Sequence, residues 1–323
     1  PSRPFPIFDN QIPANQIGTG VVPNLSEIGL RGNNGIRGTW GIETSFGNIE
    51  ANYFVLEQAD DVPSVGDLRP QVERTLETDT DTDIFELSIG PGQFAGTSLR
   101  LNGNPSNIIE LYNRSFTARY ESDIMGAEVL MRFADIVHLG FPLGMNIQPI
   151  IGFRFLQVHE KLGQVGVFED ITGQAPLLTS RIDSDTNNNL FGPTIGMRYE
   201  LPHPWFTLGV EPKFTLASNS NRARVATRQF RLAADPTVVT KDRSTYFSPI
   251  GEVQAYARIR LSDSIRMTIG YSYMFISKLT RPHDNIFYND NGIFPTPPGV
   301  VLKSKSTDLR VQGLTLGIEI DLP

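Results

Sequence analysis

The stretch Ile265-Arg266-Met267-Thr268-Ile269-Gly270-Tyr271-Ser272-Tyr273-Met274-Phe275 alternates along its length. Ile265, Met267, Ile269, Tyr271, Tyr273 and Phe275 are apolar, with Arg266, Thr268, Gly270 and Ser272 between them. Alternation at 180° per residue marks a β-strand with one apolar and one polar face. Roughly nine to eleven residues is the length a tilted strand needs to cross a bilayer. The pattern returns at 36–43, 49–56, 125–133, 145–155, 191–200, 206–216, 252–261 and 314–322, between turn-rich stretches. Its polar faces are rich in charge, as the lumen of a membrane barrel is and a soluble core is not.

Composition narrows the classes. Of 323 residues, 39% are hydrophobic, and no run of eighteen apolar residues exists, which excludes a helical membrane protein. Barrels escape that test because only alternate residues face lipid. The 29 Gly and 23 Pro suit many turns and long connections. Cysteine is absent, as is common in proteins that cross an oxidising periplasm. A net charge of −7 argues against a nucleic-acid partner, whose phosphates call for a basic excess.

The connections sort by length. Those at 45–48, 138–142, 201–204 and 262–264 are short, and those at 59–113, 163–189, 222–243 and 280–304 are long. Outer-membrane barrels show this asymmetry, with short periplasmic turns and long outer loops, and a sandwich has no reason to. The fold expected is therefore all-β: an antiparallel up-and-down transmembrane β-barrel. Residues 1–34 form an extended segment (a lumen plug, a loop or a first-strand remnant), and 35–323 form a single barrel domain. Nine strands are clear. Bacterial barrels have even strand numbers, so a tenth is expected upstream of Ile36, at 4–8 or outside the chain. A further hairpin at 84–89 and 98–101 would make twelve.

The polar faces hold Arg37, Arg132, Arg154, Arg198, Lys213, Arg258, Arg260, Arg266 and Arg310 against Glu43, Glu50, Glu128, Glu200, Glu211, Glu252, Glu319 and Asp321. Buried in a sandwich, so many charges would each cost several kcal/mol. In a lumen they face water and one another. Near balance predicts charges that pair across strands, whereas an ion-selective pore is lined by one sign. Ten strands also give a bore little wider than the eight-strand type that side chains fill.

Other chemistry is weaker. Asp79, Asp81 and Asp83 could offer oxygen ligands to Ca²⁺, but an EF-hand starting at Asp79 needs Gly and Glu where Ile84 and Gly90 stand. A solvated acidic loop is the better reading. His138, His159, His203 and His283 lack zinc spacing. His283-Asp284 invites comparison with the acid/base pairs of barrel-embedded hydrolases, yet a loop turn explains it more simply. No cofactor is expected, and no catalytic residue. Trp40, Tyr199, Trp205, Phe206, Tyr271 and Tyr273 are candidates for aromatic girdles at the bilayer edges.

Several phrases resemble one family. Gly35-Ile36-Arg37-Gly38-Thr39-Trp40-Gly41 followed by 48–56 is similar to the opening hairpin of planctomycete-type outer-membrane β-barrel proteins. Met125-Gly126-Ala127-Glu128, with Arg132, resembles an internal strand of that family. Gly270–Ser277 with Arg281-Pro282 and Asp284 resembles its late hairpin. Gln312-Gly313-Leu314-Thr315-Leu316-Gly317-Ile318-Glu319 is the closest likeness, to its C-terminal signature. The resemblance implies an outer-membrane barrel with an aromatic-rich strand before Pro1, although the Leu322-Pro323 ending departs from the usual terminal aromatic. The expected function is non-enzymatic: a barrel with a narrow, charge-paired lumen, structural, anchoring or binding at the cell surface. Its partners would be the lipid bilayer of the outer membrane and, through the long loops, second copies or other surface proteins. The alternatives are a porin-like channel for small solutes, a barrel-embedded hydrolase and a soluble carbohydrate-binding sandwich.

Overall fold

The computed structural model describes residues 34–57, 114–135, 144–168, 177–230, 232–289 and 299–321, with short strands at 3–6, 19–22, 74–75, 83–88, 93–101 and 104–112. Its main sheet is a meander of β1 (Asn34–Thr44), β2 (Gly47–Glu57), β3 (Ser115–Phe133), β4 (Asn146–Phe168) and β5 (Leu178–Pro202). It continues through β6 (Phe206–Thr215), β7 (Ser218–Arg228), β8 (Val238–Phe247), β9 (Ile250–Arg260), β10 (Ile265–Thr280) and β11 (Ser306–Ile320). Here β6 and β7 are two halves of one wall strand, as are β8 and β9. Bonds from Leu216 N to Pro193 O and from Ser248 N to Ala217 O carry the ladder across the breaks. Neighbours in sequence pair antiparallel throughout, and the sheet curls into a half-barrel.

Curling is visible in contacts between strands far apart in the sheet. Arg154 on β4 meets Glu252 on β9, and Arg37 on β1 reaches the same carboxylate at 3.9 Å. The two edge strands, β1 and β11, both run toward the short-turn end. Among the described residues no strand lies between them.

Three expectations need correcting. The segment 163–189 contains the ends of β4 and β5, which run 23 and 25 residues, and 222–243 belongs largely to β7 and β8. Within 59–113, Asp83–Ser88 pairs with β3, whereas Gln93–Leu101 pairs with Asn104–Tyr112 in a second sheet, so the expected hairpin is split between two sheets. Arg3–Pro6 pairs with Thr19–Val22 in that second sheet instead of bridging β1 and β11; Ile7 and Phe8 lie outside the described residues.

Each long strand changes character partway. On β5 the outward side chains are Arg181, Asp183, Asp185, Asn187 and Asn189, then Phe191, Pro193, Ile195, Met197, Tyr199 and Leu201. On β4 they turn from Ile147, Pro149, Ile151, Phe153 and Phe155 to Gln157, His159 and Lys161. The switch on β3 falls between Asp123 and Met125, and on β6–β7 between Leu216 and Ser218. The result is an exposed apolar band around the short-turn half, with a polar exterior above it. Inside, the order is reversed. Phe54, Ile124, Leu156, Val158, Leu190, Ile250, Met274, Ile276 and Leu309 form a buried apolar layer just above the band's interior.

Candidate functional site

The band encloses charge. Arg154, 2% exposed, donates from Nε to Glu128 at 2.9 Å and bonds both Glu128 and Glu252 through Nη2. Lys213 Nζ lies 2.8 Å from Glu128, 3.4 Å from Glu211 and 3.7 Å from Glu252. Glu211 also accepts from Arg198 Nε at 2.7 Å and faces Arg132 at 3.4 Å. Arg132 pairs with Glu50, and Arg198 Nε stands 3.8 Å from Glu200. Glu200 is bonded by Arg258, and Arg258 is 3.9 Å from Glu319. Arg266 bonds Glu319 at 3.0 Å and also pairs with Asp321. With Arg37 on Glu252, seven bases and seven acids form one connected, electroneutral network.

Strand geometry explains why these residues meet. All fourteen occupy the inner parity of their strands, so the pleat aims them inward. The curl brings β3 and β4 against β6 and β9 across the interior. Tyr256 fills the space between: its ring lies over Gly209, where a Cβ would fall 2.2 Å from the ring, and under the Arg258 guanidinium at 5.0 Å. Below this layer a cavity of about 650 Å³ opens at the short-turn end, lined by Glu200, His203, Arg258, Arg260, Asp263 and Arg266.

One of the expected inner charges stands elsewhere, and two keep the inner parity but lie exposed near turns. Arg310 shares parity with Leu314 and Leu316 and projects outward above the band, a correction that follows from the two-residue repeat itself. Arg260 is exposed at the β9–β10 turn, paired with Asp263 at 2.7 Å. Glu43 is exposed near the β1–β2 turn. Of the aromatic candidates, Trp205 and Phe206 sit at the β5–β6 turn with Tyr199 just above, and His203 stacks on Phe206 at 4.6 Å. Tyr271 and Tyr273 are half-exposed in the upper part of the β10 band, and Trp40 is exposed low on β1. Asp79 and Asp81, with the side chain of Asp83, lie outside the described residues. His283 Nε2 is 3.4 Å from Asp284 in the turn after β10, and among the described residues no three metal-ligating side chains converge.

Sequence reasoning missed a second buried cluster. Above the apolar layer, Tyr120 donates to Glu160 at 2.8 Å, and Arg281 donates to Glu160 at 2.6 Å and to Tyr120 Oη at 3.0 Å. Burial and the Glu160 carboxylate push the Tyr120 hydroxyl well above its ordinary value. Asn188 Nδ2 donates to Thr280 O at 2.8 Å and Ser184 Oγ to Pro282 O at 2.8 Å, which fixes the chain after β10 inside the upper mouth. Tyr120 and Arg281 stand 161 positions apart, so no local signal could join them.

On the outer wall, His159 Nε2 lies 3.6 Å from Asp185 and its Nδ1 3.9 Å from Asp123. The Asp185 carboxylate beside it raises the His159 pKa above 6.5 against opposing burial, and the same pairing holds Asp185 below 3.8. The imidazolium's stabilisation is complete below the unfolded value of 6.5 and fades as pH rises through the raised folded value. That of Asp185 is complete above 3.8 and fades as pH falls through its depressed value. The pair therefore stabilises most between those limits. Solvent exposure keeps the effect small. The unfolding midpoint is expected to fall slightly from pH 5.5 to pH 8.5 in the wild type and not in His159→Gln, measured by denaturant titration at both pH values.

An antiparallel meander curled around its own charged side chains is the architecture of a β-barrel protein. Residues 9–322 match the family described as "Putative beta barrel porin-7 (BBP7)". The chain belongs to this porin-like family. Comparison with curated proteins found no match.

Proposed function

We propose that the protein spans the outer membrane as a non-enzymatic barrel whose bore is shut by its own side chains, acting as an anchor or surface scaffold. The apolar band supports the membrane reading. On β5 it runs from Phe191 to Leu201, which at about 3.3 Å per residue and a tilt near 40° gives a height of about 25 Å, that of a barrel's lipid-facing zone. Exposed ladder groups in lipid cost several kcal/mol each. Closure therefore calls for one further strand, antiparallel to both β1 and β11. Kinship with planctomycete-type barrels and assembly with other surface proteins through the long-connection side belong to the same proposal.

One observation carries the closed-bore reading: the electroneutral network reaches from wall to wall at Arg154–Glu252 and Lys213–Glu128, beneath a continuous apolar layer. In planar bilayers the purified protein is expected to give no discrete conductance steps. Regular open steps at low voltage would overturn this reading. They would instead favour the porin-like alternative suggested by the family and by the cavity at the short-turn end, with small solutes passing once the network rearranges.

A further inference from the structure

Above the band, the outer wall of β7 and β8 carries a cluster of exposed cations. Beyond Leu216 the outward positions of β7 are Ser218, Ser220, Arg222, Arg224, Ala226 and Arg228; beyond Phe247, those of β8 are Thr245, Arg243, Lys241 and Val239. Arg222 stands directly opposite Arg243, and Arg224 directly opposite Lys241. All four are exposed. Like charges in register across two strands repel. Arg224 has Asp185 beside it on β5, but among the described residues Arg222, Lys241 and Arg243 have no ion-pair partner. On β4 and β5, by contrast, outward cations above the band are matched, as in Arg181–Asp183 and Lys161–Glu121. The patch offers positive charge for which the described residues supply no anion beyond Asp185.

We infer that it binds the headgroup of a phosphorylated glycolipid in the leaflet on the long-connection side. The inference rests on the membrane reading above, and height selects the ligand. A tilted strand climbs about 2.5 Å per residue along the barrel axis. Arg243 lies four residues beyond Phe247 and Arg224 eight beyond Leu216, so the cations stand about 10–20 Å above the band. A phospholipid's phosphate sits within an interfacial layer only about 5–7 Å deep, below these guanidinium groups. A sugar headgroup spans the interval. The small hydroxyl side chains of Ser218, Ser220 and Thr245 leave room for it and offer hydrogen bonds at that level. Guanidinium groups then take the phosphates in paired hydrogen bonds.

The test uses the full chain in neutral detergent, mixed with deep-rough lipopolysaccharide or with phosphatidylglycerol, with bound lipid counted by native mass spectrometry at rising salt. The wild type is expected to retain the lipopolysaccharide in preference, with retention falling as salt is raised. At about fivefold per surface cation, the triple change Arg222→Gln, Lys241→Gln, Arg243→Gln should weaken retention about a hundredfold at low salt. Arg222→Lys with Arg243→Lys should keep most of it. Equal retention by the triple variant, preference for phosphatidylglycerol, or no retention by the wild type would each overturn the inference. Insertion into phosphatidylcholine vesicles is measured alongside. A wild type that stays soluble without detergent refutes the membrane reading itself, whereas one that inserts and ignores lipopolysaccharide refutes the glycolipid site alone.

Discussion

Arg154→Met is expected to lower the unfolding free energy by about 3–5 kcal/mol, the usual cost of removing one partner from a buried ion pair. Its guanidinium bonds Glu128 on the neighbouring β3 and reaches across the interior to Glu252 on the opposing β9. Methionine keeps much of the volume but leaves two carboxylates facing each other, with Lys213 as their main remaining counter-charge. Removing one charge of each sign, as Arg154→Met with Glu252→Gln, should recover most of the loss, because six bases and six acids then remain and Glu128 keeps Lys213 at 2.8 Å. Guanidinium titration in lipid vesicles measures both variants. A single-variant loss under about 1 kcal/mol would mean that water screens the interior as it does a surface pair, and the closed-bore reading would fail with it.

The second large effect lies on the outer face. Ile195, 55% exposed, sits mid-band on β5, and Thr179 shares its outward parity near the top of the same strand. Ile195→Arg is expected to cost about 2–4 kcal/mol in a bilayer, as cations do at the midplane of a barrel wall. Thr179→Arg should stay within about 0.5 kcal/mol, as exposed polar substitutions usually do. Comparing the two in vesicles isolates depth from strand and face. Equal costs would show that the band does not meet lipid.

Much of the wall was legible in the chain because pleat alternation is local. Ile265 to Phe275 announces its two faces without reference to any neighbour, and the same holds for Phe191 to Leu201. The upper halves of the strands were not legible. From Ser180 to Asn189, β5 places Ser184, Thr186 and Asn188 inside and Asp183, Asp185 and Asn187 outside, so both faces are polar and the alternation vanishes. What makes this stretch a strand is pairing with β4 and β7, and that is tertiary information.

The charged interior divides in the same way. Sequence by itself determined which residues point inward, because parity along a strand admits only two answers. Where parity was overlooked, at Arg310, the assignment failed. Only the tertiary structure decided that Arg154 meets Glu252, that Lys213 meets Glu128, and that Tyr120 meets Arg281. Partners on non-adjacent strands are fixed by the curl and stagger of the whole sheet. That geometry is set by all the strand pairings together, so no single strand encodes it.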